Sequence, residues 1–205
     1  MSVVVLISGR GSNMEALLRA KIPVAAVISN VAGAGGLAIA SRHGIPTRVV
    51  KHGDFATREA FEDVLVHEID RFAPKLVAHA GFMRITTARY VDHYAGRAMN
   101  IHPSLLPSFT GLHTHERALA AGVKLHGCTV HFVTAELDAG PIILQAAVPV
   151  LAHDTVDALA ARVLRQEHVV YPRAVQWFLD GRLSIQNGKV HVKGNDAQLA
   201  YSDIP

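Results

Sequence analysis

Three side chains that together can carry out acyl-transfer chemistry stand out in this sequence. An amide and an imidazole, Asn100 and His102, are separated by one residue, and a carboxylate, Asp138, sits in a turn just ahead of Gly140-Pro141. An amide N–H stabilises an oxyanion developing on a carbonyl carbon, and an imidazole beside it supplies or accepts the proton that must move. A carboxylate completes such a set by orienting the imidazole and favouring its charged form. On local residues alone, a capping Asn and a structural His explain Asn100-Ile101-His102-Pro103 at least as well, and spacing does not show that Asp138 reaches His102.

Competing chemistries find little support. The nucleophile elbow G-x-S-x-G is absent, and the one cysteine, Cys128, lies within the strand-like Gly127-Cys128-Thr129-Val130, where it reads as packed rather than reactive. Among thirteen histidines, His113-Thr114-His115 and His126-x-Cys128-x-x-His131 are the closest clusters, and neither has a zinc-ligand spacing. No metal is expected. Most other histidines, such as His52, His67, His93 and His153, read as surface or structural residues.

A second feature is the loop Ser8-Gly9-Arg10-Gly11-Ser12-Asn13 between the first apolar run and the first helical segment. Backbone N–H groups at a helix N-terminus suit a phosphate, and glycines let the backbone approach it closely. A dinucleotide fingerprint is incomplete, because Met14 stands where the third glycine belongs and the second strand ends Ser29-Asn30 without the ribose-binding acid. A small phosphate is one reading of the loop, and a plain connecting turn is the other.

The elements that must position these groups follow from periodicity. Apolar runs at Val3–Ile7, Val24–Ile28, Thr47–Val50, Leu76–Ala80 and Ala98–Ile101 alternate with helical patterns at Asn13–Ala20, Gly36–His43, Thr57–Phe72 and Thr86–Tyr94. In the third helix Phe61, Val64, Leu65, Ile69 and Phe72 form the apolar stripe. This alternation predicts an α/β fold with a Rossmann-like, open, mostly parallel sheet and helices on both faces. In such sheets ligands bind at the C-terminal ends of the strands, where Asn100 and His102 stand on one side of theirs. The second half is expected to make the sheet mixed. A short helix at His115–Ala121 precedes strands at Thr129–Val133 and Ile142–Val150, then a long helix over Thr155–Leu179 and a hairpin turning at Asn187-Gly188. The final polar residues read as loose.

Composition agrees with one domain over 1–205, with halves at 1–100 and 101–183 and a hairpin and tail at 184–205. Half of the residues are apolar and 18% are charged, which suits a well-filled core. A single cysteine fits a reducing cytoplasm. The N-terminus lacks a basic segment and cleavage site, and no apolar stretch approaches the ~20 residues of a membrane helix. With a formal charge of +3 and no Lys/Arg block, neither nucleic acid nor membrane is an expected partner.

Together, "VVVLISGRGSN", "AGFMRI", "NIHPSLLPSFTGLHTH", "HGCTVHFVTAELDAGPIILQ" and "RQEHVVYP" resemble the folate-dependent formyltransferase family from Val3 to about Leu183. N-x-H-P-S-L-L-P with L-D-x-G-P marks the wider family, and S-G-x-G-S-N with "GLHTH" is similar to its glycinamide ribonucleotide branch. The resemblance implies the formyltransferase fold. It also implies transfer of a formyl group from 10-formyltetrahydrofolate, a co-substrate, to the amine of glycinamide ribonucleotide in purine biosynthesis. Direct attack would proceed through a tetrahedral intermediate, without metal or covalent enzyme adduct.

By the same resemblance, Asn100 and His102 stabilise and protonate that intermediate and Asp138 supports the histidine. Gly11, Ser12 and Asn13 receive the phosphate, and Glu167 contacts the ribonucleotide. The folate is expected at Met83, Arg84, Ile85 and Thr86, at Asn100, at Thr134, Ala135, Glu136, Leu137 and Asp138, and at Arg58, with the two arginines suited to its anionic tail. Solvated surface arginine competes as the reading of Arg58. Arg10, Thr86, Ala135 and Ala139 depart from the family pattern, in ways expected to touch affinity rather than chemistry. Among relatives sharing the Asn/His/Asp set, a tRNA formyltransferase is expected to need a further C-terminal domain and a formyltetrahydrofolate hydrolase an N-terminal one. The hydrolase and a non-catalytic folate- or nucleotide-binding homologue are the alternatives. The partners are small molecules, and the state a monomer or homodimer.

Overall fold

A parallel strand covered on both faces is an unbroken apolar run. Val3–Ile7, the first strand β1, is one, with all five residues fully buried. The computed structural model describes residues 2–201 and contains two units. The first is the chain up to Asn100 together with Val133–Ala135. It holds β1, β2 (Val24–Ser29), β3 (Thr47–Val49), β4 (Leu76–His79) and the first three residues of β5 (Ala98–His102). These run side by side in the order β5-β4-β1-β2-β3, and every pairing is parallel.

Helices α1 (Ser12–Arg19), α2 (Gly35–Arg42), α3 (Arg58–Asp70) and α4 (Ala88–His93) occupy the connections. Val4, Leu6, Ala26, Ile28, Val77 and Ala98 present one side of the sheet to Phe61, Leu65 and Ile69 of α3 and to Tyr90 and Tyr94 at α4. The expected stripe on α3 is narrower than its spacing suggested, since Val64 is 40% exposed. On the other side of the sheet Ile7 meets α2 at Gly36, where a Cβ would stand 2.6 Å from the Ile7 Cδ1.

The second unit comprises Ile101–Phe132 and the chain from Glu136 onward. It contains the end of β5, α5 (Thr114–Ala120), β6 (Leu125–Phe132), β7 (Ile142–Pro149), α6 (Val156–Leu179), β8 (Leu183–Gln186), β9 (Lys189–Val192) and β10 (Leu199–Tyr201). β6 and β7 pair antiparallel, and α6 packs on both. Thr155 caps α6, its hydroxyl accepting the Ala158 N–H at 3.1 Å. β8 and β9 form a hairpin around Asn187-Gly188, both with positive φ, as a tight two-residue turn requires. The fold is α/β, with a mostly parallel sheet made mixed by its C-terminal half.

Two expectations need correction. β6 begins four residues before Thr129, at Leu125, because the eight residues of β7 supply ladder partners even where Gly127 weakens the strand pattern. The tail is not loose throughout. Leu199–Tyr201 add β10 in parallel to Gln145–Ala147 of β7, and the Gln198 amide donates to the Ile143 carbonyl at 2.8 Å. Backbone pairing holds this edge strand, whose three apolar residues Leu199-Ala200-Tyr201 are too short a run to predict it. Residues 202–205 of the expected tail lie outside the described residues.

Candidate active site

β5 carries Ala98, Asn100 and His102 on one side, by the two-residue alternation of a strand. Asn100 is half-buried, and His102, the last strand residue, is 5% exposed. Pro103 stops the strand, and Ser104 to His113 form an irregular loop with a cis Leu106–Pro107 peptide and left-handed Phe109, Gly111 and His113.

Polar side chains brace this loop from β6, β7 and α5. The Thr129 hydroxyl donates to the Ser104 carbonyl at 2.7 Å, and accepts the Leu106 N–H at 3.0 Å and the Gln145 amide at 2.9 Å. Gln145 is the cross-strand partner of Thr129 and also donates to the Leu106 carbonyl. Thr114 donates to the Pro103 carbonyl at 2.7 Å, and the Arg117 guanidinium to the Thr110 carbonyl at 2.5 Å. On β6, Gly127 gives room to Leu105, whose Cδ2 would lie 3.0 Å from an added Cβ. Gly127, Thr129 and His131 thus form one side of β6 turned to this loop and to Asp138. Their alternation in the sequence was a readable signal, and the bracing roles of Thr129 and Gln145 were missed.

The brace holds His102 between two oxygen acceptors. Its Nε2 lies 3.0 Å from the Phe109 carbonyl and its Nδ1 3.4 Å from Asp138 Oδ2. Neither a carbonyl nor a carboxylate can donate, so each of these oxygens can only accept from a ring N–H. Asp138 is left-handed (φ 54°), a conformation that aspartate tolerates, and its side chain is 8% exposed. The Gly111 N–H donates to the same Oδ2 at 2.8 Å, fixing the carboxylate independently of the histidine.

Three more histidines surround this pair. His131 donates from Nδ1 to the Phe132 carbonyl, and its Nε2 is 3.9 Å from Asp138 Oδ1, beyond hydrogen-bond reach. Burial pushes its pKa down, with His102 adding to the shift and the Phe132 carbonyl and Asp138 opposing it, and by distance His102 is the imidazole closer to the carboxylate. His115 and His126 meet at 3.1 Å through Nδ1 and Nε2. Burial lowers the pKa of His126 to about 4, with His115 and His102 adding to the shift and the Pro103 carbonyl opposing it. His115 is lowered by burial and then by His102. Imidazoles whose charged forms burial disfavours thus line the environment of His102. Among the described residues no group of three or more His, Cys, Asp or Glu side chains is arranged to hold a metal ion.

The remaining sequence-selected residues fall in both units. In the first, Gly11 is the left-handed N-cap of α1 (φ 79°), and a Cβ there would stand 2.6 Å from the Gly36 Cα. Ser12 and Asn13 open the helix. Arg58 is exposed at the first turn of α3. Met83 and Ile85 are exposed (68% and 51%), while Arg84 and Thr86 are half-buried. Thr134 is half-buried and Ala135 exposed. In the second, Glu136 and Leu137 are exposed before Asp138. Glu167 is buried on α6, where after burial it is the next cause raising the Cys128 thiol pKa. Of the expected catalytic set, His102 and Asp138 are in contact, and Asn100 shares the strand of His102.

Residues 1–175 match the formyl transferase family. The chain belongs to that family. It is 52% identical over 200 residues to phosphoribosylglycinamide formyltransferase of Escherichia coli, covering 95% of this chain and 94% of that protein. It is 45% identical to part of the trifunctional purine biosynthetic protein adenosine-3 of Gallus gallus, over 93% of this chain and 20% of that one. The crystal structure of phosphoribosylglycinamide formyltransferase from Anaplasma phagocytophilum aligns with a TM-score of 0.94 at 45% identity, covering 99% of both chains. Among the described residues no helix is long and apolar enough to cross a membrane.

Proposed function

We propose that this formyl transferase moves the formyl group of 10-formyltetrahydrofolate to the amine of glycinamide ribonucleotide, in the cytoplasm. The amine attacks the formyl carbon, and the carbonyl oxygen takes up negative charge in a tetrahedral adduct. Asn100, half-buried on β5, donates its amide N–H to that oxygen. His102 supplies the proton needed as the folate nitrogen leaves, and the amine proton is lost in exchange. Asp138, itself held by the Gly111 N–H, keeps the His102 Nδ1 proton in place and thereby orients the ring.

The ribonucleotide phosphate is assigned to the backbone of Gly11, Ser12 and Asn13, where the α1 N-terminus favours an anion, and the ribonucleotide also to Glu167. The folate is assigned to Met83, Arg84, Ile85 and Thr86, to Asn100, and to Thr134 through Asp138, with Arg58 toward its acidic tail. The observation carrying this reading is the buried His102–Asp138 pair at the end of the strand that presents Asn100. His102→Ala or Asn100→Ala should lower turnover by about 10²–10⁴-fold with the fold intact. Near-normal turnover in either variant would overturn the roles.

A further inference from the structure

The segment Phe82–Thr86 has no regular secondary structure, and its chain direction is set by a few fastenings. Phe82 is buried, whereas Met83 and Ile85 project to solvent, so apolar packing does little to fix residues 83–86. Hydrogen bonds secure both ends. At one end the Met83 N–H donates to the Ser8 hydroxyl oxygen at 2.8 Å. At the other the Thr87 N–H donates to the Glu62 carboxylate at 2.9 Å, and the Thr87 hydroxyl donates to the same group. Glu62 is 5% exposed, so this end is anchored in the core of the first unit.

Ser8 is itself held in a defined orientation. Its hydroxyl donates to Asn30 Oδ1 at 2.6 Å, and its backbone N–H donates to the Gly81 carbonyl at 3.0 Å. With the hydroxyl proton committed to Asn30, only lone pairs of Oγ remain to face the Met83 N–H. Asn30 is buried, and its amide nitrogen lies 3.1 Å from His52 Nδ1. The Ser29-Asn30 strand end, which lacks a ribose-binding acid, thus has a different use.

We propose that Ser8 is a positioning residue for the folate: oriented by Asn30, it holds the Met83 amide and sets the path of Met83–Thr86. This rests on the folate assignment of those residues made above. Ser8 also opens the glycine loop, so its substitution separates two effects. Loss of the Met83 fastening acts on the folate alone, whereas a disturbed glycine loop acts on the ribonucleotide.

The test is steady-state kinetics in both substrates for wild type, Ser8→Ala and Ser8→Thr, with amide exchange at Met83 measured in each ligand-free protein. Ser8→Ala removes one hydroxyl from a half-buried site and leaves the Glu62 fastening in place. It should raise the folate KM about 3–12-fold, the worth of one hydrogen bond, with the ribonucleotide KM within about twofold. Ser8→Thr, which keeps the hydroxyl, should restore most of the difference. The Met83 amide should be protected in wild type and Ser8→Thr, and exchange at least about tenfold faster in Ser8→Ala, while amides of β1 and β4 stay protected. An unchanged folate KM in Ser8→Ala, equal rises in both KM values, or an unprotected Met83 amide in wild type would overturn the proposal. If wild type shows no folate saturation, the folate assignment fails and the positioning role with it. The exchange data would still report whether the fastening exists.

Discussion

Replacing Thr129 by Val tests whether the loop behind His102 is held by one hydroxyl. The two side chains have nearly the same shape, so the change removes hydrogen bonds with little change in packing. Three partners lose their bond: the Ser104 carbonyl, the Leu106 N–H and the Gln145 amide. Gln145 retains the Leu106 carbonyl, but the two backbone groups are buried and are left unsatisfied. At about 1–3 kcal/mol for each of the two buried groups, Thr129→Val should destabilise the protein by roughly 2–6 kcal/mol. Thr129→Ser keeps the hydroxyl and loses one methyl, a cost of about 1 kcal/mol. Equilibrium urea unfolding of both variants reads the difference directly. The loop runs on to Phe109, whose carbonyl faces His102 Nε2, so turnover should fall about tenfold in the Val variant even where it remains folded. A Val variant as stable as wild type, or less destabilised than Ser, would refute the reasoning.

Gly127→Ala places a Cβ 1.9 Å from the Ala146 carbonyl oxygen, so β6 and β7 must separate locally, and the thermal midpoint should drop by the equivalent of about 1–3 kcal/mol. An unchanged midpoint would show that the strands give way freely. The pH dependence of stability has a definite sign at His126. Its folded pKa of about 4 lies below the ordinary 6.5, so the unfolded chain binds the proton more readily. The stabilisation is fully present above about pH 6.5 and is lost as the pH falls toward 4, on the order of 3 kcal/mol. His126→Gln should flatten the urea-stability slope across that window, and an unchanged slope would contradict the assignment. Asp138→Asn removes the carboxylate beside His102 Nδ1 and should lower turnover and move the acidic limb of its pH profile. An unaltered profile would mean that the carboxylate does not act on the histidine.

The strands of the first unit were legible because parallel strands buried on both faces leave an uninterrupted apolar run, as in Val3–Ile7. Helix ends were legible to within a residue or two where a cap or glycine marked them, as at Thr155 and Gly11. Val64 shows the limit of periodicity, since spacing places a residue near a face without fixing how far the covering layer extends. Leu199–Tyr201 had only a three-residue apolar run as a local signal, because β10 is held by backbone pairing to a strand more than fifty residues earlier. At the candidate site, the side shared by Asn100 and His102 follows from strand alternation. The approach of Asp138 to His102 does not, because it depends on a left-handed turn and on the Gly111 N–H that holds the carboxylate. The bonds of Thr129 and of Ser8 are of the same long-range kind. Each joins a polar residue that looks ordinary in sequence to a backbone group 23 or 75 positions away.

The most direct test of the central claim is a spectrophotometric assay of 10-formyltetrahydrofolate consumption with and without glycinamide ribonucleotide, with the product weighed by mass spectrometry. The account predicts consumption only when the ribonucleotide is present, and a ribonucleotide heavier by one formyl group in place of hydrogen. Consumption without the ribonucleotide would identify water as the acceptor and a hydrolase instead. No consumption under either condition would contradict the assignment of catalysis to Asn100, His102 and Asp138 altogether.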